Sequence, residues 1–316
     1  MTDHILLCDF SFGSYMKLAL GTPGRRPSDA TLYSCSGKKD FDEAVLDFLA
    51  AHDRPKLIGA ALSSRGWERH GAIQLPEKGL LKLGRDDVRH LLSIQRVNLV
   101  NNFVARALAI PRLRKDESVK LCGDEPLEEQ VMAVLGPHHG LGLAALAPDG
   151  AGNWAAIPCE GGHSDLPVTS DREWQVYNVL KEKHGHVARE FVISLTGLVE
   201  LFQALNTVDG GDSQANTPEE VIALANIGDP VALEAIAMCS GWLAAMASDV
   251  ALMLGARGGI YLTGDLMDLL GDLFDPAVFC KRYADKGRLS NYVSDVPVYQ
   301  TQARDLEIVG LATLFD

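Results

Sequence analysis

The residues with the clearest capacity for chemistry lie in one short segment, from Ile157 to Asp165. Glu160 and His163 place a carboxylate and an imidazole three residues apart, with two glycines between them. Glycines would let a ligand approach the backbone, and the Glu and His side chains supply hydrogen-bond acceptors and donors. This combination suits a polyhydroxylated ligand. An ordinary surface turn with solvated charges is the alternative, because glycine and aspartate are common turn residues.

The composition favours an acidic soluble protein with two domains. At 316 residues the chain exceeds the size at which single cores usually stop growing, and its 47% hydrophobic content supports substantial cores. The formal charge of −13 disfavours nucleic acid and anionic membrane surfaces as partners, because both require clustered Lys and Arg.

The cysteines and the first residues favour the cytoplasm. No basic region followed by an apolar run begins the sequence, so no signal peptide is expected, and no stretch is expected to approach the length of a membrane span. The six cysteines contain no CxxC pair, which argues against a zinc ribbon and suits a reducing compartment. They are Cys8, Cys35, Cys122, Cys159, Cys239 and Cys280.

Two strand–turn–strand units organise the pattern. His4–Asp9 and Met16–Leu20 flank a Gly/Ser turn, while Gln130–Leu135 and Leu143–Ala147 flank a glycine-rich turn. Alternating strands and helices follow each hairpin, which predicts two related α/β lobes.

Further elements complete the predicted order. A strand at Arg96–Val100 runs into Asn101-Asn102-Phe103, and a helix at Val104–Ala109 follows and stops at Pro111. Sites often lie at such junctions. A charged connection is expected over Arg112–Glu117. The other predicted strands are Lys56–Leu62 and Arg257–Thr263, and the other helices are Phe41–His52, Asp171–Lys183, Leu198–Leu205, Thr217–Asn226 and Pro230–Leu254.

Motifs along nearly the whole chain form one set. They are Val100–Phe103 with Ala109–Pro111, Gly136–Gly142, Pro158–Asp165, Gly185–Val187 leading to Glu190, Gly258–Gly264, Gly287-Arg288 and Val296–Tyr299. In this order the chain resembles the bacterial glucokinase family of ATP-dependent hexose kinases. The resemblance implies an α/β fold of two actin/hexokinase (ribonuclease-H-like) lobes around a central cleft. Residues 1–111 with 302–316 would form the small lobe, and residues 112–301 the large lobe.

The resemblance implies a hexose site and a reaction. Side chains at Asn101, Glu160, His163 and Glu190 would bind the hydroxyls of a glucose-like sugar. The family reaction converts ATP and glucose to glucose 6-phosphate, with Mg²⁺ as a cofactor beside ATP. These residue types are coherent for the purpose, because carboxylates accept from paired hydroxyls while asparagine both donates and accepts.

Position 102 departs from the family pattern at the catalytic base. The family places an aspartate there to accept the proton from the attacking sugar hydroxyl, whereas this chain has Asn102. An amide cannot take that proton, and a positioned base is typically worth about 10²–10⁴ in rate. Asn102 can still hydrogen-bond the sugar, so it belongs with the predicted sugar-binding residues.

The nucleotide motifs depart from the pattern as well. The first phosphate turn has one extra residue and the bulky Phe12. In the second, His138-His139-Gly140 stands in place of Gly-Thr-Gly and follows Pro137, and Asp265 stands where a second glycine is expected near the adenosine site. Bulky side chains and a missing N–H obstruct a phosphate cradle. The nucleotide-binding positions implied by the resemblance are Asp9, also the Mg²⁺ ligand, with Gly13, Ser14, Gly136, His138, His139, Gly140 and Gly264.

Three readings therefore stay open. The favoured one is a cytoplasmic hexose-binding protein whose phosphoryl transfer is lost or strongly impaired, with Mg²⁺ and ATP as cofactors only if activity survives. A divergent but active hexose kinase and a structural paralogue that binds neither ligand are the alternatives. Neither nucleic acid nor membrane is an expected partner, and the sequence leaves homodimer formation open.

Overall fold

Two compact units make up the chain, Met1–Lys115 with Ala303–Asp316, and Asp116–Gln302. The computed structural model describes residues 3–10, 13–65, 70–75 and 81–316. The lobes predicted from the sequence end a few residues from these boundaries.

The first unit is built on a five-stranded sheet. Its strands are β1 (His4–Asp9), β2 (Tyr15–Gly21), β3 (Thr31–Ser34), β4 (Leu57–Ser64) and β7 (Arg96–Asn101), with a separate hairpin of β5 (Ala72–Leu75) and β6 (Leu81–Gly84). The order in the sheet is β3-β2-β1-β4-β7, in which β1, β2 and β3 are antiparallel neighbours, and β4 and β7 continue the sheet parallel to β1. The helices are α1 (Lys38–Ala51), α2 (Arg85–Leu92), α3 (Asn102–Ala109) and α11 (Leu306–Thr313).

Both faces of this sheet are covered, because side chains alternate along each strand. On one face Leu6 of β1 packs in a cluster with Phe41 and Phe48 of α1. On the other face Ile5 and neighbouring residues pack against Ile308 of α11. The C-terminal helix is therefore part of the first unit's core.

Helices α3 and α11 touch closely enough to require a glycine, and a buried ion pair joins them. A Cβ atom on Gly310 would overlap the Ala105 carbonyl oxygen. Arg106 donates through Nε to Glu307 Oε1 at 2.6 Å, and both side chains are buried. Burial pushes the pKa of Glu307 upward, but the Arg106 guanidinium outweighs it and holds that pKa below its ordinary value.

The second unit is built on a six-stranded sheet. Its strands are β8 (Ser118–Cys122), β9 (Met132–Pro137), β10 (Leu141–Pro148), β11 (Trp154–Cys159), β12 (Gly259–Leu262) and β13 (Val298–Thr301). The sheet repeats the strand order of the first unit as β11-β10-β9-β12-β13, and β8 adds an antiparallel edge. β9, β10 and β11 are antiparallel neighbours, and β12 and β13 run parallel to β9. The predicted pair of related α/β lobes is confirmed by this repetition.

Seven α-helices of the described chain belong to the second unit, and α7 lies in its core. The helices are α4 (Asp171–His184), α5 (Leu195–Asp209), α6 (Pro218–Asn226), α7 (Pro230–Leu254), α8 (Asp265–Leu270), α9 (Pro276–Tyr283) and α10 (Ser290–Asp295). The predicted bounds of α7 are confirmed. The expectation that no stretch is long enough to cross a membrane is wrong, because α7 is 25 residues long and sufficiently apolar. Its most apolar window is 67% buried within the protein, as in the core helix of a globular domain.

The charged connection predicted over Arg112–Glu117 is confirmed, since no helix or strand lies between the 3₁₀ turn Ile110–Arg112 and β8. The segment from Ile157 to Asp165 is not a single turn, because its first three residues complete β11.

Candidate active site

A short 3₁₀ turn, Gly161–His163, forms the centre of the predicted sugar-binding segment, and residues 160–165 are called the sugar loop below. His163 N donates to Glu160 O at 3.1 Å, and Ser164 Oγ donates to Gly161 O at 2.6 Å. These bonds satisfy the turn internally. The side chains of Glu160 and His163 are exposed.

The two glycines of this loop pack closely against β10. A Cβ atom on Gly162 would overlap the carbonyl oxygen of Leu141 in β10. One on Gly161 would lie 2.6 Å from Leu143 Cδ2. Gly162 is therefore required for the loop to lie against β10, and the ligand access predicted for the two glycines stays a prediction.

Two of the predicted sugar-binding residues meet here. His163 Nδ1 lies 3.2 Å from Glu190 Oε1, with the His163 side chain 62% exposed and that of Glu190 20% exposed. Glu190 lies in a 3₁₀ turn, Arg189–Phe191, whose carbonyl at Glu190 accepts from Ser194 Oγ at 2.7 Å. A carboxylate and an imidazole at this separation can bind adjacent hydroxyl groups of one ligand.

His186 and Arg189 brace the sugar loop. His186 places Nε2 3.2 Å from His163 O and Nδ1 3.3 Å from Asp165 Oδ1.

Arg189 donates from its backbone N to Ser164 O at 3.0 Å and through Nη2 to Asp249 Oδ2 at 2.9 Å. No role is predicted for Arg189 from the sequence, in which its position beside Glu190 is the only signal.

Cys159 lies at the entrance to the same loop. Burial raises the pKa of its thiol, and the neighbouring Glu160 carboxylate raises it further. Both effects favour the protonated form of the thiol, which is the less nucleophilic one.

The second predicted phosphate turn, residues 136–140, is called the phosphate turn below. His138 N donates to Gly140 O at 2.7 Å, so this N–H closes the turn, while Pro137 has no N–H to offer. The rings of His138 and His139 stack with their centroids 4.8 Å apart. Two of the backbone donors expected of a phosphate cradle are therefore not available to a ligand.

The start of α5 anchors this turn. Leu195 N donates to His138 O at 2.7 Å, and Thr196 Oγ1 donates to His139 O at 3.2 Å. A Cβ atom on Gly140 would lie 2.8 Å from Glu190 Oε2. The phosphate turn and the predicted sugar-binding Glu190 are thus direct neighbours.

Gly264 and Asp265 bring the third nucleotide motif onto the same turn. Gly264 has φ +115°, and a Cβ atom there would lie 2.5 Å from Pro137 O, so glycine is required on both counts. Asp265 begins α8 and places Oδ2 3.1 Å from His138 Nε2. Two positions that the sequence analysis interprets as departures from the family pattern therefore contact each other.

In the first unit the predicted residues lie at the ends of adjacent parallel strands. Asp9, at the end of β1, is 1% exposed and accepts from Ser63 Oγ of β4 at 2.6 Å. Gly13 and Ser14 follow in an exposed turn. Ser11 and Phe12 lie outside the described residues, so the predicted obstruction by Phe12 stays a prediction.

Asn101 and Asn102 occupy the junction between β7 and α3. Asn101 is the N-cap residue, and its Oδ1 accepts from Phe103 N at 2.7 Å. Asn102 is the first residue of α3 and is 4% exposed. The strand-to-helix junction predicted from the sequence is confirmed, and one of the two amide oxygens is engaged in holding it.

The described residues contain no cluster of three or more His, Cys, Asp and Glu side chains that could hold a metal by itself. Mg²⁺ accompanying a nucleotide takes most of its ligands from phosphate and water and needs only one or two carboxylates. Asp9, oriented by Ser63, fits that requirement.

The doubled sheet defines the actin/hexokinase class of fold. A glucokinase from an Antarctic psychrotroph superposes with a TM-score of 0.90 at 25% identity, covering 100% of this chain and 99% of its own. The glucokinase of Balamuthia mandrillaris, solved with glucose, superposes with a TM-score of 0.78 at 16% identity over 99% and 93% of the two chains.

Sequence comparison gives the family. The glucokinase family model matches residues 13–316. A glucokinase-like protein of Caulobacter vibrioides is 37% identical over 96% of this chain and 94% of its own length. The glucokinase of Pseudomonas paraeruginosa is 33% identical over 91% and 85% of the two chains. The chain belongs to the glucokinase family.

Proposed function

We propose that this protein binds a glucose-like hexose and that its transfer of a phosphoryl group from ATP to the sugar is lost or strongly impaired. Family membership supports the hexose, and the contact between His163 and Glu190 supports the site. The sugar-binding residues of the proposal are Asn101, Asn102, Glu160, His163 and Glu190.

The observation that carries the loss of transfer is Asn102 at the start of α3. Its side chain is buried and neutral at the position where the family carries its aspartate base. A neutral amide can orient a sugar hydroxyl but cannot remove its proton, and the loss of a general base costs about 10²–10⁴ in rate. Sugar binding therefore survives more readily than turnover.

The phosphate turn gives independent support. Its His138 N–H is engaged within the turn, and its imidazole contacts a carboxylate. If nucleotide binds, Asp9 would hold Mg²⁺, and the metal would neutralise charge on the phosphates. We also propose that the protein is cytoplasmic, and whether it forms a homodimer is a question for experiment.

A divergent but active hexose kinase is the second candidate. The buried Asp9 and its bond from Ser63 favour it, because the magnesium-binding carboxylate is retained and oriented. In that case Mg²⁺ and ATP are cofactors and another group replaces the base.

Calorimetric titration with glucose and, separately, with MgATP tests these proposals. Heat from glucose without steady-state turnover supports impaired transfer, whereas turnover in a coupled assay supports the active kinase. Binding of neither ligand would identify a structural paralogue.

The Asn102→Asp variant is the sharper test. We expect little recovery of activity, because the phosphate turn is altered as well. Robust turnover in this variant would show that the base alone was missing and that the turn tolerates nucleotide.

A further inference from the structure

The contact between His138 and Asp265 joins two residues that each replace a family residue. The phosphate turn carries His138 where the family has Gly-Thr-Gly, and α8 begins with Asp265 where the family has a second glycine. In the folded protein His138 Nε2 and Asp265 Oδ2 are 3.1 Å apart. Either change alone would leave a histidine or a carboxylate facing the turn, and together they form a pair.

Both partners are anchored, so the pair is built into the unit. Leu195 N holds the His138 carbonyl, and the His139 ring stacks on the His138 ring. On the other side, Gly264 lies directly against Pro137 O and sets the start of α8 beside the turn. The contact therefore does not depend on two long surface side chains finding each other.

The exposure of the two side chains shows how an anion could reach this pair. The His138 side chain is 15% exposed, whereas that of Asp265 is 47% exposed. The carboxylate is on the solvent side and can be displaced without moving the turn. A phosphate oxygen offers the same acceptor chemistry to Nε2 as the carboxylate does.

We propose that Asp265 competes with nucleotide phosphate for His138 and thereby lowers the affinity of the phosphate turn for phosphorylated nucleotides. This inference rests on the proposed function, since it assigns the turn to a nucleotide. An arriving phosphate must displace Asp265 from His138 and remain beside that carboxylate, which repels it. Asp265 is thus an affinity-determining residue for the phosphate donor.

The test is calorimetric titration of the full chain with MgATP and with adenosine, in the wild type and in the Asp265→Asn variant. We expect the variant to bind MgATP about tenfold more tightly, because the repulsive charge is removed and the competing acceptor is weakened. Adenosine, which has no phosphate, should bind both proteins equally.

Two further variants complete the design. Asp272→Asn removes an exposed charge of the same unit, just beyond α8, and should leave MgATP affinity unchanged, which separates the local contact from overall charge. Adding His138→Asn to Asp265→Asn should abolish the gain. Thermal unfolding of each variant checks that the fold is retained.

The inference is overturned if Asp265→Asn leaves MgATP affinity unchanged, if adenosine or Asp272→Asn shows the same gain, or if none of the proteins binds MgATP. Glucose titration of the same preparations judges the proposed function separately. Glucose binding with unchanged MgATP affinity would refute only this inference, and absence of glucose binding in the wild type would refute only the hexose site.

Discussion

The sugar loop packs against the start of β10 and the phosphate turn leads into it, yet the two regions are held in different ways. In the sugar loop, backbone bonds and glycine packing do the holding, and the side chains of Glu160 and His163 remain exposed. In the phosphate turn, the His138 N–H and imidazole are both engaged within the protein. The sugar loop therefore keeps its binding groups accessible to solvent, whereas the phosphate turn uses its own binding groups in contacts within the protein.

The difference raises the question of how independent the two regions are. The network from Glu190 through Ser194 to Thr196 links them, since Ser194 Oγ bonds Glu190 O and Thr196 Oγ1 bonds His139 O. Substitutions that affect one region and spare the other will show how independent the two are.

The largest effect is expected from Gly162→Ala. Its Cβ would overlap the Leu141 carbonyl, so the sugar loop must leave β10, at a cost of about 3 kcal/mol in unfolding free energy. Denaturant unfolding should show this loss, and glucose binding should disappear. Gly241→Ala in α7 is the control, because nothing lies within 4 Å of its added Cβ and alanine favours a helix. Equal stability of Gly162→Ala and the wild type would contradict the packing argument.

Glu190→Gln should affect the sugar side alone. A charge-assisted hydrogen bond contributes about 1.5–3 kcal/mol, so glucose affinity should fall by a factor of about 10 or more in calorimetry. Glu182→Gln, on the exposed end of α4, should leave the affinity unchanged. Unaltered glucose binding in Glu190→Gln would remove this residue from the site.

Thr196→Val should affect the phosphate side alone. It removes the bond to His139 O, worth about 1 kcal/mol, and so amide exchange in residues 136–141 should accelerate about fivefold. Exchange in residues 160–165 should stay constant. Thr207→Val removes a similar bond to Gln203 O in the same helix and serves as the control. If both regions loosen in Thr196→Val, the two sites are coupled rather than independent.

The smallest effect is expected at Cys159. Its pKa is raised mainly by burial and secondarily by Glu160, so Glu160→Gln should lower that pKa only modestly. Alkylation with iodoacetamide at pH 8 should become less than tenfold faster, followed by mass spectrometry. The buried Cys239 is the internal reference and should remain unmodified. A decrease in the Cys159 rate would contradict the assigned effect of the carboxylate.

Much of the fold could be predicted because its main elements carry strong periodic signals. The first hairpin, the β7–α3 junction and the bounds of α7 follow from apolar runs and from turn and cap residues. β3 was missed because its four residues are mostly exposed and show no apolar alternation, and β8 resembles it. Short edge strands depend on their neighbours for hydrogen bonds, and a local pattern does not reveal such neighbours.

The site was only partly predictable. The spacing of Glu160 and His163 indicated a polar loop, but the role of its glycines depends on the approach of β10, which no local signal records. The pairing of His138 with Asp265 joins residues far apart in the sequence, so each was interpretable only as a separate departure. The contact could not be predicted because the two residues are far apart in the sequence, although the chemical character of each was clear.

The position of α11 has a consequence for biosynthesis. This helix covers one face of the first unit's sheet, yet the ribosome adds it only after the entire second unit has been made. Until then the apolar face around Ile5 stays uncovered, while the continuous second unit can already fold. A chain truncated after residue 302 should therefore combine a folded second unit with an unfinished first unit, which is a natural substrate for chaperones.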